Sequence, residues 1–250
     1  MEKHLVFFDI DGTLVFNKIG ISEKNVAALR RLKEDGHLIF INSGRSRYIV
    51  PKLLTQAVEF DGFICGSSYV EYHGEVLNRV VVDRDTIETV CRLGLDNGMR
   101  VIFEGEDNAY GINGGAFHAC VDITADFESY LDKTEEMRVT KITFDRDLSD
   151  DIIDRLPMLR VINFGRYSEA VAKGYDKAFG MNLLCEKLGV PRERTVAFGD
   201  SVNDIEMLKF ADKGVIMKSA PAMLDEYSVI RTDSDHEGVA EGIERIFFGE

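Results

Sequence analysis

The sequence has few of the residues that build zinc sites, disulfide frameworks or membrane spans. Its 250 residues include four cysteines, which lie far apart without a Cys-x-x-Cys pair, and five histidines without a His-x-x-x-His pair. Zinc and disulfide interpretations are therefore weak, and we expect the cysteines to be small thiols that are buried or half-buried. No apolar run approaches the roughly 18 to 20 residues of a transmembrane helix. The sequence predicts a cytoplasmic protein without a membrane partner.

Positive charge is also scarce. Thirty Lys and Arg residues stand against 44 Asp and Glu residues, which gives a formal net charge of -14. No nucleic-acid partner is expected, because binding by counterion release needs a basic stripe. The glycine-rich segment Gly111 to Gly115 lacks the spacing of a dinucleotide or phosphate loop, so we predict a turn or loop there. The chain is long enough for one substantial core or two modest ones, and its composition leaves the oligomeric state open.

Two carboxylates follow the first apolar run. Leu5 to Phe8 is predicted to be a buried strand, and Asp9 and Asp11 come directly after it, in the crevice where open α/β sheets bind ligands. Two acids about 4 Å apart repel each other by roughly 1 to 4 kcal/mol, which a divalent cation relieves. A calcium loop counted from Asp9 would need Gly and Glu where this chain has Leu14 and Gly20, so that alternative is disfavoured.

A hydroxyl follows the second predicted strand, His37 to Ile41. Ser43 stands beyond its end, and its hydroxyl and the neighbouring backbone N–H groups are suited to phosphate oxygens. The alternative is that Ser43 and Ser46 only cap the next helix. We favour the phosphate site because Ser43 occupies the same place after its strand as Asp9 does after the first.

A second acidic loop follows the predicted strand Thr195 to Phe198. Asp200, Asn203 and Asp204 lie in the segment GDSVND, before a helix predicted over 205–210. By itself this loop also fits a helix cap at Asp200 and a solvated Asp204. The acidic segment at Asp9 and Asp11 far upstream makes us disfavour that alternative.

These segments resemble the motifs of the haloacid dehalogenase (HAD) superfamily of phosphotransferases. DIDGTLV resembles its first motif, the Ser43 segment its second, and GDSVND its acidic loop. Lys177, at the start of a helix predicted to end near residue 188, resembles the third motif, with Lys173 as a competitor. Near the C-terminus, GVIMKSA and HEGVA resemble segments of the Cof-type subfamily. The chain departs from that pattern at Lys218-Ser219 and at 66–68, which makes transfer of any member's substrate unsafe.

The resemblance assigns roles residue by residue. Asp9 would be the nucleophile and Asp11 the acid/base. Magnesium would be held by Asp9, the backbone carbonyl of Asp11 and Asp200, while Asp204 would orient the loop from behind. The groups expected to bind the phosphate are the side chains of Ser43, Lys177 and Asn203 and the backbone amides near Ile10 and Gly44.

The resemblance also implies an architecture. Residues 1–82 and 173–250 would form a Rossmann-like three-layer α/β core with a parallel sheet, and residues 83–172 an inserted α/β cap of subtype C2B. A hairpin turn at 71–76 would lead out of the core sheet. The insert is predicted to contain helices near 85–97, 126–133 and 150–156 and strands at 100–104, 138–145, 160–164 and 170–171. Possible substrate contacts in it, none singled out as a ligand, are Tyr110, Asn113, Phe117, His118 and Arg166.

The implied function is a magnesium-dependent phosphomonoester hydrolase that forms an aspartyl-phosphate. Its partner would be a small-molecule phosphate ester, with sugar phosphates first. A phosphomutase would use the same Asp9 and Asp11 but keep its product phosphorylated. A dehalogenase has no use for Asp11 or a metal loop. A sugar-phosphate sensor that has lost turnover is the alternative from outside the enzymes.

Overall fold

The computed structural model describes residues 2–16, 20–114 and 120–249. Within these ranges the chain forms one sheet of eight strands and one of six. In the spatial order of the larger sheet, the first six strands are mutually parallel, and each of the last two is antiparallel to the strand before it. In spatial order, the eight strands are Ile230–Arg231, Lys213–Ile216, Thr195–Gly199, Leu5–Phe8, Leu38–Ser43, Gly62–Cys65, Tyr69–Tyr72 and Glu75–Asn78.

The central strand, Leu5–Phe8, is fully buried on both faces. Successive side chains of a strand point to opposite faces. Val6 and Phe8 accordingly join one core cluster, and Leu5 and Phe7 join another. A continuous apolar run of this kind is typical of a parallel strand covered on both sides.

Helices form the outer two layers. Glu23–Glu34 and Gly238–Ile243 contribute buried side chains to the cluster that contains Phe8, and Lys177–Leu188 and Ile205–Phe210 to the other. Two outer layers of helices enclose the parallel strands, so the predicted three-layer α/β core is confirmed. A further short helix, Lys52–Ala57, follows the second strand. Short 3₁₀ or π turns lie at Arg47–Ile49, Arg192–Arg194, Val202–Asp204, Ala222–Tyr227 and Glu244–Phe248.

The smaller sheet has its own core. Its strands, in spatial order, are Leu159–Asn163, Ser168–Ala172, Lys141–Phe144, Val101–Glu104, Ala109–Ile112 and Val121–Asp122. All neighbours are antiparallel except the last pair. Its helices are Arg84–Asp96, Phe127–Leu131, Thr134–Met137 and Asp150–Ile153. A separate cluster of buried side chains, which runs from Val82 to Ala170, fills this part of the chain. The exact bounds of the insert, 83 and 172, stay a prediction.

Three sequence predictions need correction. Gly111 and Ile112, predicted as turn or loop, belong to strand Ala109–Ile112, because they pair with Ile102 and Val101. Asn113 and Gly114 do form a turn, while Gly115 lies outside the described residues. The helix predicted over 126–133 is present but shorter, at Phe127–Leu131, and a separate short helix, Thr134–Met137, follows it.

The third correction concerns the hairpin. The turn forms at His73 and Gly74, both with positive φ, but strands Tyr69–Tyr72 and Glu75–Asn78 extend the large sheet and do not leave it. Positive φ at both central residues matches the right-handed twist of a two-residue hairpin.

Other expectations of the sequence agree with the structure. Cys65, Cys91 and Cys185 are buried and Cys120 is intermediate, all as free thiols. Among the described helices, none is long and apolar enough to cross a bilayer.

Candidate active site

Three neighbouring parallel strands bring their carboxyl ends to one edge of the large sheet. Phe8 is in register with Ile41 on one side and with Phe198 on the other. Asp9, Ser43 and Asp200 each stand at the end of one of these strands. The parallel pairing thus gathers residues that are far apart in the sequence.

Lys177 lies between two of the carboxylates at this edge. Its Nζ donates hydrogen bonds of 2.6 Å to Asp9 Oδ1 and of 2.6 Å to Asp204 Oδ1. All three residues are buried, with 4% or less of their surface exposed. Asp176 caps the helix that Lys177 begins, and the Asn42 amide donates to the Lys177 carbonyl at 3.0 Å. The lysine is therefore fixed from both the sheet and its own helix.

The site holds more negative charge than Lys177 can neutralise. Carboxylate oxygens of Asp9, Asp200 and Asp204 all lie within 4.8 Å of one another. Burial raises the pKa of Asp9 to about 7 against the pull of Lys177, and burial with the nearby Asp204 raises the pKa of Asp200 to about 6. Three acids and one ammonium form a group that another cation would stabilise.

Asp204 is occupied in holding its own loop. Its Oδ1 accepts from Lys177, and its Oδ2 accepts from the backbone N–H groups of Asp200 at 2.9 Å and Ser201 at 3.0 Å. A Cβ on Gly199 would stand 2.7 Å from the Asp204 side chain, so only glycine allows this packing. Asp9 and Asp200 are left as the carboxylates with capacity for a cation.

Asp11 makes a different interaction from the other acids. Arg45 donates to it through two nitrogens, Nε to Oδ2 at 2.6 Å and Nη2 to Oδ1 at 2.7 Å. Arg45 also donates to the Ile49 carbonyl at 3.1 Å. The Asp11 side chain is 59% exposed, which places it at the mouth of the site. Its backbone follows Ile10, whose side chain is fully buried.

Gly12 allows Asp200 to approach the first motif. It has a φ of +86°, and a Cβ there would lie 2.2 Å from Asp200 Oδ2. Thr13 donates its hydroxyl to Asp200 Oδ1 at 3.0 Å. These contacts fix the acidic loop against the first motif.

The remaining residues expected to bind phosphate lie on the same side. Ser43 is buried and its Oγ accepts weakly from the Arg45 N–H at 3.3 Å. Asn203 accepts from the Ser201 hydroxyl at 2.6 Å, and its Nδ2 is 3.9 Å from where a Cβ on Gly44 would stand. Asn203 and Gly44 are thus neighbours across the edge of the sheet.

A cavity of about 260 Å³ opens between this edge and the smaller sheet. On the larger sheet's side it is lined by Asp11 and Arg45. On the other side lie Glu104, Lys141, Thr143, Tyr167 and Glu169. Burial opposes the charge of Lys141, but Glu104 and Glu169 outweigh it and raise the pKa of Lys141.

Sequence reasoning did not find the residues on the smaller sheet's side of this cavity. Of the contacts it considered, Tyr110 packs against Tyr130 and Asn113 bonds to the carbonyls of Gly94 and Met99. Arg166 is exposed, and Phe117 and His118 lie outside the described residues. The sequence feature that could have pointed to these residues was a lysine, Lys141, at the start of the apolar strand Lys141–Phe144.

The sequence profile of the haloacid dehalogenase-like hydrolases matches residues 6–243. The chain belongs to that family, and the predicted resemblance and enzyme class are confirmed. The Bacillus subtilis (strain 168) protein 5-amino-6-(5-phospho-D-ribitylamino)uracil phosphatase YitU is 28% identical over 283 residues, an alignment that covers 98% of each chain.

Solved structures agree with this membership. A hypothetical protein from Geobacillus kaustophilus HTA426 has a TM-score of 0.85 at 25% identity, over 98% of this chain and 99% of that one. The HAD subclass IIB sugar phosphatase BT4131 has a TM-score of 0.77 at 24% identity, over 98% and 99% of the two chains. At 24% identity, the likeness to BT4131 is evidence for a shared fold only.

Proposed function

We propose that this protein is a magnesium-dependent phosphomonoester hydrolase that acts through an aspartyl-phosphate on small phosphorylated metabolites such as sugar phosphates. The observation that carries the proposal is the buried Asp9, held by Lys177 within 4.8 Å of two other carboxylates. Membership of the hydrolase family and the phosphatase relative from Bacillus subtilis support it. A cytoplasmic location is proposed from the composition.

The donor set fits Mg²⁺. Magnesium prefers oxygen ligands and binds through one or two carboxylates together with substrate phosphate oxygens. Asp9 and Asp200 offer such carboxylates, since Asp204 is already occupied by Lys177 and two backbone N–H groups. The backbone carbonyl of Asp11 would complete the protein ligands. When bound, the ion would screen the anionic nucleophile from the anionic phosphate.

Asp9 would attack the phosphorus in line, forming the O–P bond as the ester O–P bond breaks. Asp11, after taking up a proton from solvent, would protonate the departing alkoxide, and it would then take a proton from the water that attacks the aspartyl-phosphate, which releases inorganic phosphate and frees Asp9. Asp11 must first leave Arg45, which holds both of its oxygens. A guanidinium binds phosphate oxygens as well as carboxylates, so the arriving phosphate would compete for Arg45 and free Asp11.

The negative charge on the phosphoryl oxygens would be spread over several donors. Lys177 would bind them as a fixed point charge, with Ser43 and Asn203 beside it. The backbone amides of Ile10 and Gly44 would add two further N–H groups. Because Lys177 is already held by Asp9 and Asp204, little reorganisation would be needed during the reaction.

We also propose that residues 83–172 form the cap and select the leaving group. The larger sheet's edge can bind only the phosphate and the metal. The cavity has its other side on strands Val101–Glu104, Lys141–Phe144 and Ser168–Ala172. Side chains on those strands would contact the organic part of the ester.

The test is hydrolysis of p-nitrophenyl phosphate with and without Mg²⁺, for the wild type and Asp9→Asn. The wild type should release inorganic phosphate only with the metal, and Asp9→Asn should lose more than about a hundredfold in kcat. Asp212→Asn, an exposed aspartate away from the site, is the control. Beryllofluoride should label Asp9.

The outcomes separate the alternatives. Product that stays phosphorylated would indicate a mutase, and binding of sugar phosphate without turnover would indicate a sensor. Activity of Asp9→Asn near the wild-type value would rule out the covalent mechanism.

A further inference from the structure

Strand pairing in the smaller sheet assembles a cluster of charged side chains that faces the proposed phosphate site. Glu104 is in register with Lys141, and Thr143 with Glu169. Lys141 Nζ lies 2.7 Å from Glu169 Oε1 and 3.7 Å from Glu104 Oε1. We call Glu104, Lys141, Thr143 and Glu169 the acidic wall.

The acidic wall carries one negative charge in excess. It contains two carboxylates and one ammonium, and Lys141 is buried, with 4% of its surface exposed. On the opposite side of the cavity, Arg45 is paired with Asp11, and in the proposed mechanism it turns from Asp11 to the phosphate of the substrate itself. Among the residues that the structure describes, the charged side chains that line the cavity therefore leave no unpaired cation for a second anionic group on a substrate.

The acidic wall also has unused capacity to accept hydrogen bonds. Glu104 is 2% exposed, and its Oε1 accepts from the Thr143 hydroxyl at 2.5 Å. Its other oxygen, Oε2, is buried and makes no hydrogen bond with the described residues. A carboxylate can only accept, and leaving a buried acceptor unpaired is costly. Because this oxygen is closed to the cavity, Glu104 acts on a ligand through its charge, and the Glu169 oxygen that does not bind Lys141 is the acceptor within reach.

Glu169 places a carboxylate next to the phosphate loop. Its Oε1 is held by Lys141, while its Oε2 stands 3.8 Å from where a Cβ on Gly44 would lie. The Gly44 amide is one of the proposed phosphate contacts. Glu169 therefore lies within reach of the part of a substrate that adjoins its phosphate ester.

We propose that the acidic wall selects phosphate esters whose leaving group carries hydroxyl donors near the ester, with Glu169 as the contact and Glu104 behind it, and that it rejects leaving groups with a second anionic group. This inference rests on the proposed function. It deepens that function by naming the substrate class as neutral polyol phosphates.

Three small esters of the same chain length test it. Glycerol phosphate esterified at a terminal carbon presents hydroxyl donors, phosphoglycerate esterified at the corresponding carbon replaces one of them by a carboxylate, and propyl phosphate has neither. With saturating Mg²⁺, kcat/KM of the wild type should be highest for glycerol phosphate. It should exceed that for phosphoglycerate by at least about tenfold.

Two isosteric variants locate the effect. Glu169→Gln and Glu104→Gln remove the charge but keep an oxygen for Lys141 or Thr143. Each should raise the ratio of phosphoglycerate to glycerol phosphate kcat/KM by about tenfold, or about 1.4 kcal/mol. The control is Glu106→Gln, a carboxylate in the turn between strands Val101–Glu104 and Ala109–Ile112 that is paired with Arg79 and Arg138 and does not line the cavity.

Activity on p-nitrophenyl phosphate, whose leaving group has no donor, should stay within about twofold in the control Glu106→Gln. Equal wild-type rates on glycerol phosphate and phosphoglycerate, refusal of all three esters while p-nitrophenyl phosphate is cleaved, or an unchanged ratio in Glu169→Gln would each overturn the inference. Absence of turnover on every ester with Mg²⁺ would contradict the proposed function and this inference with it. Glu169→Gln, at a partly exposed position, keeps the test decisive if Glu104→Gln does not fold.

Discussion

At the scale of single residues, Lys177 determines whether the candidate site can exist in a folded chain. It is buried and is shared between Asp9 and Asp204 at 2.6 Å each. Burial lowers the pKa of a lysine, but the two aspartates outweigh it, and the pKa of Lys177 is raised. The lysine thus stays charged, and its loss would leave two buried carboxylates facing each other.

Replacing Lys177 by Met should therefore destabilise the protein strongly. We expect the free energy of unfolding at pH 8 to fall by about 3 to 5 kcal/mol, because one partner of a buried ionic group is removed. The control is Lys187→Met on the same helix, where a half-exposed lysine pairs with Glu75 and the loss should stay below about 1 kcal/mol. Urea unfolding measures the free energy of unfolding of both variants. Equal losses would show that the buried network around Lys177 adds no special stability.

Replacing Asp200 should have the opposite effect in the metal-free protein, a gain in stability and not a loss. Its pKa is raised from 3.8 to about 6, so its contribution to stability is full below about pH 4 and is lost as the pH rises through 6. At pH 7.5, Asp200→Asn should stabilise the metal-free chain by about 1 to 2 kcal/mol, or about 2 to 6 °C in Tm. At pH 4 this gain should vanish.

The same variant should lose the rise in Tm that Mg²⁺ gives the wild type. Asp212→Asn removes one negative charge from an exposed position outside the cluster and serves as the control. A metal-free Asp200→Asn protein less stable than the wild type at pH 7.5 would show that the Thr13 hydrogen bond outweighs the charge repulsion.

At the scale of elements, the packing of helix Lys177–Leu188 against the large sheet positions Lys177. Gly180 faces Ile64 of strand Gly62–Cys65, and a Cβ there would stand 2.7 Å from two Ile64 side-chain carbons. Ser43 and Cys65 are in register on the neighbouring strands. A shift of the helix would therefore move the lysine relative to the sheet edge.

Gly180→Ala should cost about 1 to 3 kcal/mol through overpacking. It should also lower kcat on p-nitrophenyl phosphate, because small displacements of a catalytic group are costly. Trimming the opposing side chain in the double variant Gly180→Ala/Ile64→Ala, which removes both contacted carbons, should recover part of the loss in kcat. Full activity of the single variant would show that the helix does not set the position of Lys177.

At the scale of the whole molecule, the net charge of -14 opposes the approach of an anionic substrate. Screening weakens this repulsion between charges that are more than a Debye length apart, about 10 Å at 0.1 M salt. With Mg²⁺ saturating, kcat/KM for a dianionic ester should rise about two- to threefold between low and physiological ionic strength. Measurements in chloride and in acetate salts separate screening from anion competition. A fall in kcat/KM with rising ionic strength in both salts would contradict the prediction.

Much of the core site could be predicted because each motif is contiguous. A run such as Leu5–Phe8 is apolar enough to be a buried strand by itself, and the acids that follow it must lie at the strand's end. The same local reasoning placed Ser43 and Asp200, and the order of the motifs along the chain gave the family. Burial of a strand on both faces leaves a signal in its own residues.

The sequence by itself determined which strands end in functional groups, while the tertiary structure decided which of those groups meet. Asp11 pairs with Arg45 across 34 residues and Lys141 with Glu169 across 28. Local sequence does not encode such contacts, because strand order and register set them and a one-residue slip would turn each side chain to the other face. For the same reason, Gly111 looked like part of a loop until pairing with Ile102 made it part of a strand.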